Sequence, residues 1–288
     1  MERAGGRLNF LKSGIFFKVM TQKIPKALTI AGSDSGGGAG IQADIKTFSA
    51  LGVHGSSVVT AITAQNTKEV TAVHNVPLDI IKKQIDAVLS DIGADAVKIG
   101  MLSNSEIIRT ISKKLKDYSI KNIVLDPVMV AASGAKLLED SAIDALKKEL
   151  IPLSLIVTPN SYEAEALVNK KIKTIDDVKK AAKEIIKLGC KSVLVKGGHL
   201  DIGNDYVTDI FYDGKNFVEI KNKKINKIGH GSGCTLSSAI AANIAKGMEL
   251  KEAVKNAINY VHNALGQGFK VGEMNRVLRH DWKMQIKF

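Results

Sequence analysis

The chain has 288 residues, of which 45% are hydrophobic, 24% charged and only five proline, a composition that excludes a disordered or low-complexity chain. No apolar run reaches the roughly 18 residues needed to cross a membrane, and two cysteines, Cys190 and Cys234, suit a reducing compartment, so a cytoplasmic protein is expected. The formal net charge of +12 does not imply nucleic acid: residues 1–26 set six basic residues against Glu2, the other lysines are interleaved with acids, and no nucleic-acid-binding motif occurs.

In chain order, residues 1–25 read as a loosely ordered extension. Its patches Phe10–Leu11 and Ile15–Phe17 are broken by Lys12 and Lys18, no secretory signal core forms, and Met20 is a candidate start. From Lys26 onward the chain reads as one domain, 26–288. Ala27–Ala31 is a short strand running into the glycine-rich Gly32–Gly40, followed by a helix through Ala43–Leu51. Val58–Thr63 and Val70–Val76 are β-rich. Leu78–Leu89 and Glu106–Leu115 are amphipathic helices, while Ala96–Ile99 and Asn122–Leu125 are buried strands. Helix Ala142–Leu150, strand Leu153–Val157, helix Asp176–Leu188 and strand Ser192–Val195 continue the alternation. Tyr206–Tyr212 and Phe217–Ile220 then alternate around Asp213-Gly214 as an antiparallel hairpin, and helices Cys234–Lys246 and Leu250–Leu265 close the chain. Repeated strand–helix pairs predict an α/β fold: a mainly parallel central sheet, helices on both faces, and the late hairpin at one edge.

In such sheets ligands bind at the carboxyl ends of the strands, and the polar and glycine signals fall there. Gly32-Ser-Asp-Ser-Gly-Gly-Gly-Ala-Gly40 is neither a P-loop, since no Gly-Lys-Ser/Thr closes it, nor a dinucleotide fingerprint; it reads as a flexible loop that lets backbone approach a ligand. Gly231-Ser232-Gly233-Cys234 opens a small-residue helix, where bare N–H groups and the helix dipole would make an anion hole for a transferring phosphoryl group. Cys234 in the first turn is expected to have a lowered thiol pKa, enabling it to take a proton from an attacking hydroxyl. The alternative for that turn is a buried small cysteine. Asp126 ends one apolar strand and the segment from Asn160 to Glu163 follows another; Asn160 and Glu163 could hold a hydrated Mg²⁺, or could simply cap and begin a helix. Lys196, ahead of Gly197 and Gly198, could reach phosphate oxygens or be a surface lysine before a turn.

With these residues in view, the chain resembles the hydroxymethylpyrimidine/phosphomethylpyrimidine kinases of thiamine biosynthesis, within the ribokinase superfamily. The motifs that carry the resemblance are Ala31–Asp44, Thr63–Thr67, Lys98–Met101, Leu125–Met129, Thr158–Asn160, Val195–His199 and Gly231–Thr235, from about Lys26 to the last helix. The resemblance implies a ribokinase-like fold, ATP as co-substrate, Mg²⁺ as cofactor and a homodimer. It implies that Gln65 binds the aminopyrimidine in a pocket shaped by Gly32, Asp34, Met101 and Val128. Asp126 and Glu163 would organise the metal, Lys196, Asn160, Glu163 and Gly198 the nucleotide, and Gly231–Cys234 the anion hole. Cys234 stands where sugar kinases of the superfamily carry an aspartate base. The chain departs from the family pattern in Lys227-Ile228-Gly229 before His230, and in Ser232 where threonine is usual. A pyridoxal or pyridoxine kinase is the alternative activity, and a non-catalytic ligand-binding protein on the same scaffold the alternative class.

Overall fold

The computed structural model describes residues 23–131, 134–198, 205–225, 229–273 and 276–283; the bulk of the N-terminal extension, His199 and the Lys227–Ile228 departure lie outside them. The chain builds β1 (Lys26–Asp34), α1 (Gly40–Ala50), β2 (His54–Gln65), β3 (Val70–Asn75), α2 (Leu78–Ala87), β4 (Ala96–Ile99), α3 (Ser105–Asp117) and β5 (Ile123–Leu125). Next come α4 (Asp140–Ala145), β6 (Ile156–Val157), α5 (Ser161–Val168), α6 (Ile175–Ile186), β7 (Val193–Val195), β8 (Tyr206–Tyr212) and β9 (Phe217–Lys223). The chain then forms β10 (Gly229–His230), α7 (Ser232–Ala245), α8 (Leu250–Gly266), β11 (Phe269–Lys270) and β12 (Arg276–Val277).

Nine strands make one sheet in the order β3-β2-β1-β4-β5-β6-β7-β8-β9. Pairings from β2 through β7 are parallel; β3 at one edge and the β8–β9 hairpin at the other are antiparallel. Side-chain alternation along each buried strand supplies two cores. Leu28, Ile30, Val97, Ile99, Ile123 and Leu125 pack with residues of α2 to α6, whereas Ala27, Ala96, Val124, Leu194 and Phe211 pack with Phe48 of α1 and with α7 and α8. Full burial of each large aliphatic side chain contributes roughly 1.5–3 kcal/mol.

Local signals set the helix limits. In α3, Ile107, Ile108, Ile111 and Leu115 form the buried stripe, Asn104 caps the start through the N–H of Ile107, and Lys114 and Lys116 complement the end. The expected helix Leu78–Leu89 instead ends as α2 at Ala87 and widens into a π-helical turn, Val88–Ile92, closed by left-handed Gly93. After α4, a second π-helical turn, Leu146–Leu150, and a 3₁₀ turn carrying Pro152 consume the start of the expected strand Leu153–Val157, leaving β6 as two residues. The small sheet β10-β12-β11 was not anticipated, because two-residue strands carry no periodicity.

One buried position breaks the apolar rule. Lys98 of β4 has no solvent exposure and donates to both carboxylate oxygens of Asp44 on α1, at 2.9 and 2.8 Å. Thr29 and Ser238 add hydrogen bonds to that carboxylate at 2.6 and 2.7 Å. Burial alone would lower the Lys98 pKa, but Asp44 beside it holds it above the usual ammonium range. The polar group so formed ties α1 and α7 to the sheet; stranding either ion would cost about 3–5 kcal/mol.

Candidate active site

The glycine loop after β1 is built around one carboxylate. Asp34 is buried and accepts from the N–H of Gly36 at 2.8 Å, Gly38 at 3.0 Å and Ala39 at 2.8 Å, while His230 Nε2 stands 3.0 Å from its Oδ2. Burial raises its pKa, but the His230 bond and these N–H groups outweigh that and hold it below the usual carboxylate range. The glycine-rich segment reads as a flexible loop, and the resemblance implies that Asp34 helps to shape a substrate pocket. In the structure its carboxylate is turned inward and braces the loop. Gly40, at φ +55°, lies so close to the carbonyl of Gly32 that a Cβ would meet the oxygen at 2.4 Å.

The second loop rests on the first. Gly231, at φ +84°, is the N-cap of α7, and a Cβ there would fall 1.8 Å from the Gly38 oxygen. Among the described residues no side chain caps α7, and no acid occupies its first turn, so its first-turn N–H groups, from Ser232 to Cys234, are donors that the helix itself leaves without partners, at its positive end. The loop is braced from behind by Thr235, which donates to the Gly231 carbonyl at 2.9 Å and lies 3.1 Å from His280 Nε2.

Cys234 requires a correction. Burial pushes its thiol up to about 11; Lys98 pulls against that, the carboxylates of Asp44 and Asp126 add to it, and the Gly40 N–H on the sulfur lowers it slightly. Desolvation beside two anions therefore outweighs the helix end, and the lowered pKa expected for a first-turn cysteine is overturned. Cys190, the other cysteine, is buried far from this chemistry, with its thiol pushed up to about 12 by burial.

A charged cluster faces the α7 head. Lys196 Nζ lies 2.8 Å from Asp126 Oδ1 and 3.6 Å from Glu163 Oε2, and a Cβ on Gly233 would sit 3.4 Å from that Nζ and 3.6 Å from Asp126 Oδ2. The structure thus brings together residues from the ends of β5, β6 and β7 and the start of α7. Asp126 is buried and also receives hydrogen bonds from Thr158 at 3.3 Å and Ser237 at 3.4 Å. Asn160 and Glu163 form a capping box on α5: the Asn160 side chain accepts from the Glu163 N–H at 2.9 Å, and Glu163 Oε2 accepts from the Asn160 N–H at 2.7 Å. Burial pushes the Glu163 carboxyl up, Lys196 opposes this and Asp126 adds to it. The donor chemistry fits a hydrated Mg²⁺, which takes one or two protein carboxylates and completes its shell with water and phosphate. Asp126 and Glu163 supply that number, both already gathered around a cation.

Of the two glycines after Lys196, Gly198 stands in open space, whereas a Cβ on Gly197 would meet the Thr208 carbonyl at 2.0 Å. The Gly197 N–H donates at 2.8 Å to Asp209, a buried carboxyl raised to about 6 by burial. Asp209 went unnoticed in the sequence because it sits inside the regular alternation of β8.

At the other end of the glycine loop, Gln65 is strapped through its backbone to Ser35, and its carboxamide lies 3.1 Å from His230 Nε2 and 3.2 Å from Thr63 Oγ1. Met101 packs its sulfur against Gly32, where a Cβ would come within 2.9 Å, and Val128 lines a small apolar crevice with Gly100, Leu102 and Pro127. His230, which touches both Asp34 and Gln65, stands in the sequence only as a neighbour of the anion loop. Its place in the sequence beside Gly231 was the available signal, but the partners are 196 and 165 residues away.

A nine-stranded, mostly parallel sheet with an edge hairpin, carrying an uncapped glycine-led helix beside an acid–lysine cluster, defines a ribokinase-like kinase. The family model described as phosphomethylpyrimidine kinase matches residues 34–279, and the chain belongs to that family. It is 46% identical over 258 residues to the hydroxymethylpyrimidine/phosphomethylpyrimidine kinase of Bacillus subtilis (strain 168), covering 89% of this chain and 95% of that one. Among solved structures, the phosphomethylpyrimidine kinase of Clostridium difficile 630 is 52% identical with a TM-score of 0.75, over 84% of this chain and 99% of that one. The pyridoxal kinase of Staphylococcus aureus in complex with AMP-PCP and pyridoxal is 36% identical with a TM-score of 0.84, over 92% and 96%.

Proposed function

We propose that the chain transfers the γ-phosphoryl group of ATP to the hydroxymethyl group of 4-amino-5-hydroxymethyl-2-methylpyrimidine, and then to the resulting monophosphate, giving the pyrimidine diphosphate for thiamine biosynthesis. The observation that carries this reading is the meeting of the bare α7 head with Lys196 and Asp126 across Gly233, within reach of one chain of contacts (Gly231, Gly38, Asp34, His230) that ends at Gln65. The names and the identity of the relatives support the substrate; the AMP-PCP complex of the pyridoxal kinase supports the nucleotide.

In this reading the N–H groups of Ser232, Gly233 and Cys234 gather the charge that develops on the migrating phosphoryl, and Lys196 neutralises phosphate oxygens beside them. Gly198, with open space around it, lets backbone lie against the nucleotide, and Asn160 holds Glu163 at the rim. Asp126 and Glu163 would hold Mg²⁺, whose chemistry there is to neutralise and align the phosphates. Gln65 orients the ring, with Gly32, Met101 and Val128 shaping the apolar side of the pocket. The Cys234 thiol, protonated at neutral pH, cannot also take the acceptor's proton; it accepts a hydrogen bond from the acceptor hydroxyl and holds it in line. That proton leaves with the transferred group, passing to a phosphoryl oxygen once charge has moved there, so that positioning rather than base strength carries most of the rate.

A single kinase domain over 26–288, acting as a homodimer in the cytoplasm, belongs to the same reading. The two cores share one sheet, β3 leaves an exposed edge, and among the described residues no helix is long and apolar enough to cross a membrane. The likeness to a pyridoxal kinase keeps a second substrate in view. The deciding experiment offers hydroxymethylpyrimidine, its monophosphate and pyridoxine separately with Mg-ATP and identifies products by mass. Mono- and diphosphorylated pyrimidine are expected; phosphorylation of pyridoxine alone would transfer the assignment to the alternative, and absence of ATP turnover with all three would leave a binding protein.

A further inference from the structure

Gln65 ends in a carboxamide whose oxygen and nitrogen have nearly the same shape, so only the hydrogen-bond network decides which end is which. The atom drawn as Nε2 lies 3.1 Å from His230 Nε2, and the atom drawn as Oε1 lies 3.2 Å from Thr63 Oγ1. The same His230 nitrogen is 3.0 Å from Asp34 Oδ2, inside a carboxylate cradle already receiving three backbone N–H groups. An ionised carboxylate can only accept, so His230 Nε2 must carry a proton. An amide NH₂ there would set two donors against each other; with the carbonyl oxygen in that place, the single Nε2–H is shared between it and Asp34 Oδ2 as a three-centre bond. The NH₂ then points at Thr63 Oγ1, which is free to accept because its own proton goes to the Ser33 carbonyl at 2.8 Å. In this arrangement each donor in the chain from Ser33 to Asp34 faces an acceptor.

We infer that His230, anchored by Asp34, fixes which way round the Gln65 amide stands, and so sets the donor–acceptor order that a substrate ring must present. The inference rests on the reading of Gln65 as the pyrimidine-binding residue. With one N–H given to Thr63 and one lone pair to His230, the amide keeps one N–H and one lone pair, in a fixed order. A 4-aminopyrimidine answers with a ring nitrogen that accepts beside an amino group that donates. Its 4-oxo analogue presents the reverse, N–H beside C=O, and must turn over to pair, which carries its hydroxymethyl group away from the α7 head. His230 is thus a positioning residue that acts through Gln65, and the same side chain neighbours the anion loop through the peptide to Gly231.

The test compares kcat/KM for 4-amino-5-hydroxymethyl-2-methylpyrimidine and its 4-oxo analogue with Mg-ATP. A site built to pair polar groups is expected to favour the amino compound by about 100-fold or more in the unaltered enzyme. In His230→Leu the amide is free to turn, and the preference should fall below about tenfold, whereas His230→Gln, whose Nε2 reaches the same place with a proton, should keep it. General structural damage would lower both rates and leave their ratio. Gln65→Ala separates the two levels: if it leaves the ratio as in the unaltered enzyme, the reading of Gln65 fails. If it abolishes the preference but His230→Leu retains it, the inference about His230 alone is overturned. Should His230→Leu not fold, ¹⁵N chemical shifts of His230 in the unaltered protein decide: a protonated Nε2 supports the inference, and an unprotonated Nε2 overturns it.

Discussion

Two helix heads face Lys196. At α5 the N–H groups of Asn160 and Glu163 are closed by the helix's own Asn160–Glu163 box; at α7 the chain enters through left-handed Gly231 with no side-chain cap and no acid in the first turn. Both heads pose the same problem, because an α-helix leaves its first N–H groups without internal partners. The first solution adds stability and takes up two of those donors, while its Glu163 carboxylate still faces Lys196. The second leaves stability unclaimed and keeps donors and dipole available for an anion. The bare head is also the one buttressed from outside, by the Gly38 carbonyl against Gly231, by Thr235 and His280 behind, and by the Lys98–Asp44–Ser238 group one turn below. A head that cannot stabilise itself is held by its neighbours.

Substitutions at the two heads should therefore differ in kind. Gly231→Ala drives a methyl into the Gly38 carbonyl and displaces the donors, and turnover should fall by about 10²–10³-fold, as when an oxyanion donor is removed. Gly52→Ala is the control: it has the same left-handed backbone but nothing within 4 Å, so it should cost about 1–2 kcal/mol of stability with turnover preserved. Equal turnover in the two variants would erase the special status of the α7 head.

Cys234→Ala comes next. With the thiol gone but the N–H groups in place, kcat should drop on the order of 10²-fold while KM for the pyrimidine stays within a few-fold. Steady-state kinetics measures both, and an unchanged kcat would remove the cysteine from the positioning of the acceptor. At α5 the expected effect is thermodynamic: Asn160→Ala should lower unfolding free energy by about 1 kcal/mol in urea titrations. A loss at the level of Gly231→Ala in turnover would show that the sealed head also serves the nucleotide directly.

The last effect concerns the buttress. Burial lowers the His280 pKa to about 4, below the unfolded value of 6.5, so the folded state binds fewer protons in that interval. Its contribution is present above pH 6.5 and is lost as pH falls toward 4. His280→Gln should flatten the wild-type decline in Tm between these pH values, and an unaltered slope would mean that this histidine does not titrate on unfolding.

Much of the fold was legible along the chain. Ala96–Ile99 and Tyr206–Tyr212 coincide with β4 and β8, and the hairpin lies at the sheet edge as expected, because burial on both faces or on alternate faces writes a local period into the sequence. Departures occur where no such period exists, in the π-helical turns after α2 and α4 and in the two-residue strands β10 to β12. The site divides in the same way. Glycine loops, strand-end acids and the Lys196 position could be read from spacing, since each is a local feature.

What the sequence by itself determined was an α/β chain with its polar groups at the carboxyl ends of the strands and an open helix head at Gly231. Only the tertiary structure decided that Asp34 faces inward, that His230 joins it to Gln65, and that the Cys234 thiol is raised rather than lowered. Each of those outcomes depends on desolvation and on charges or donors contributed from distant parts of the chain, and such quantities have no value until the chain has folded.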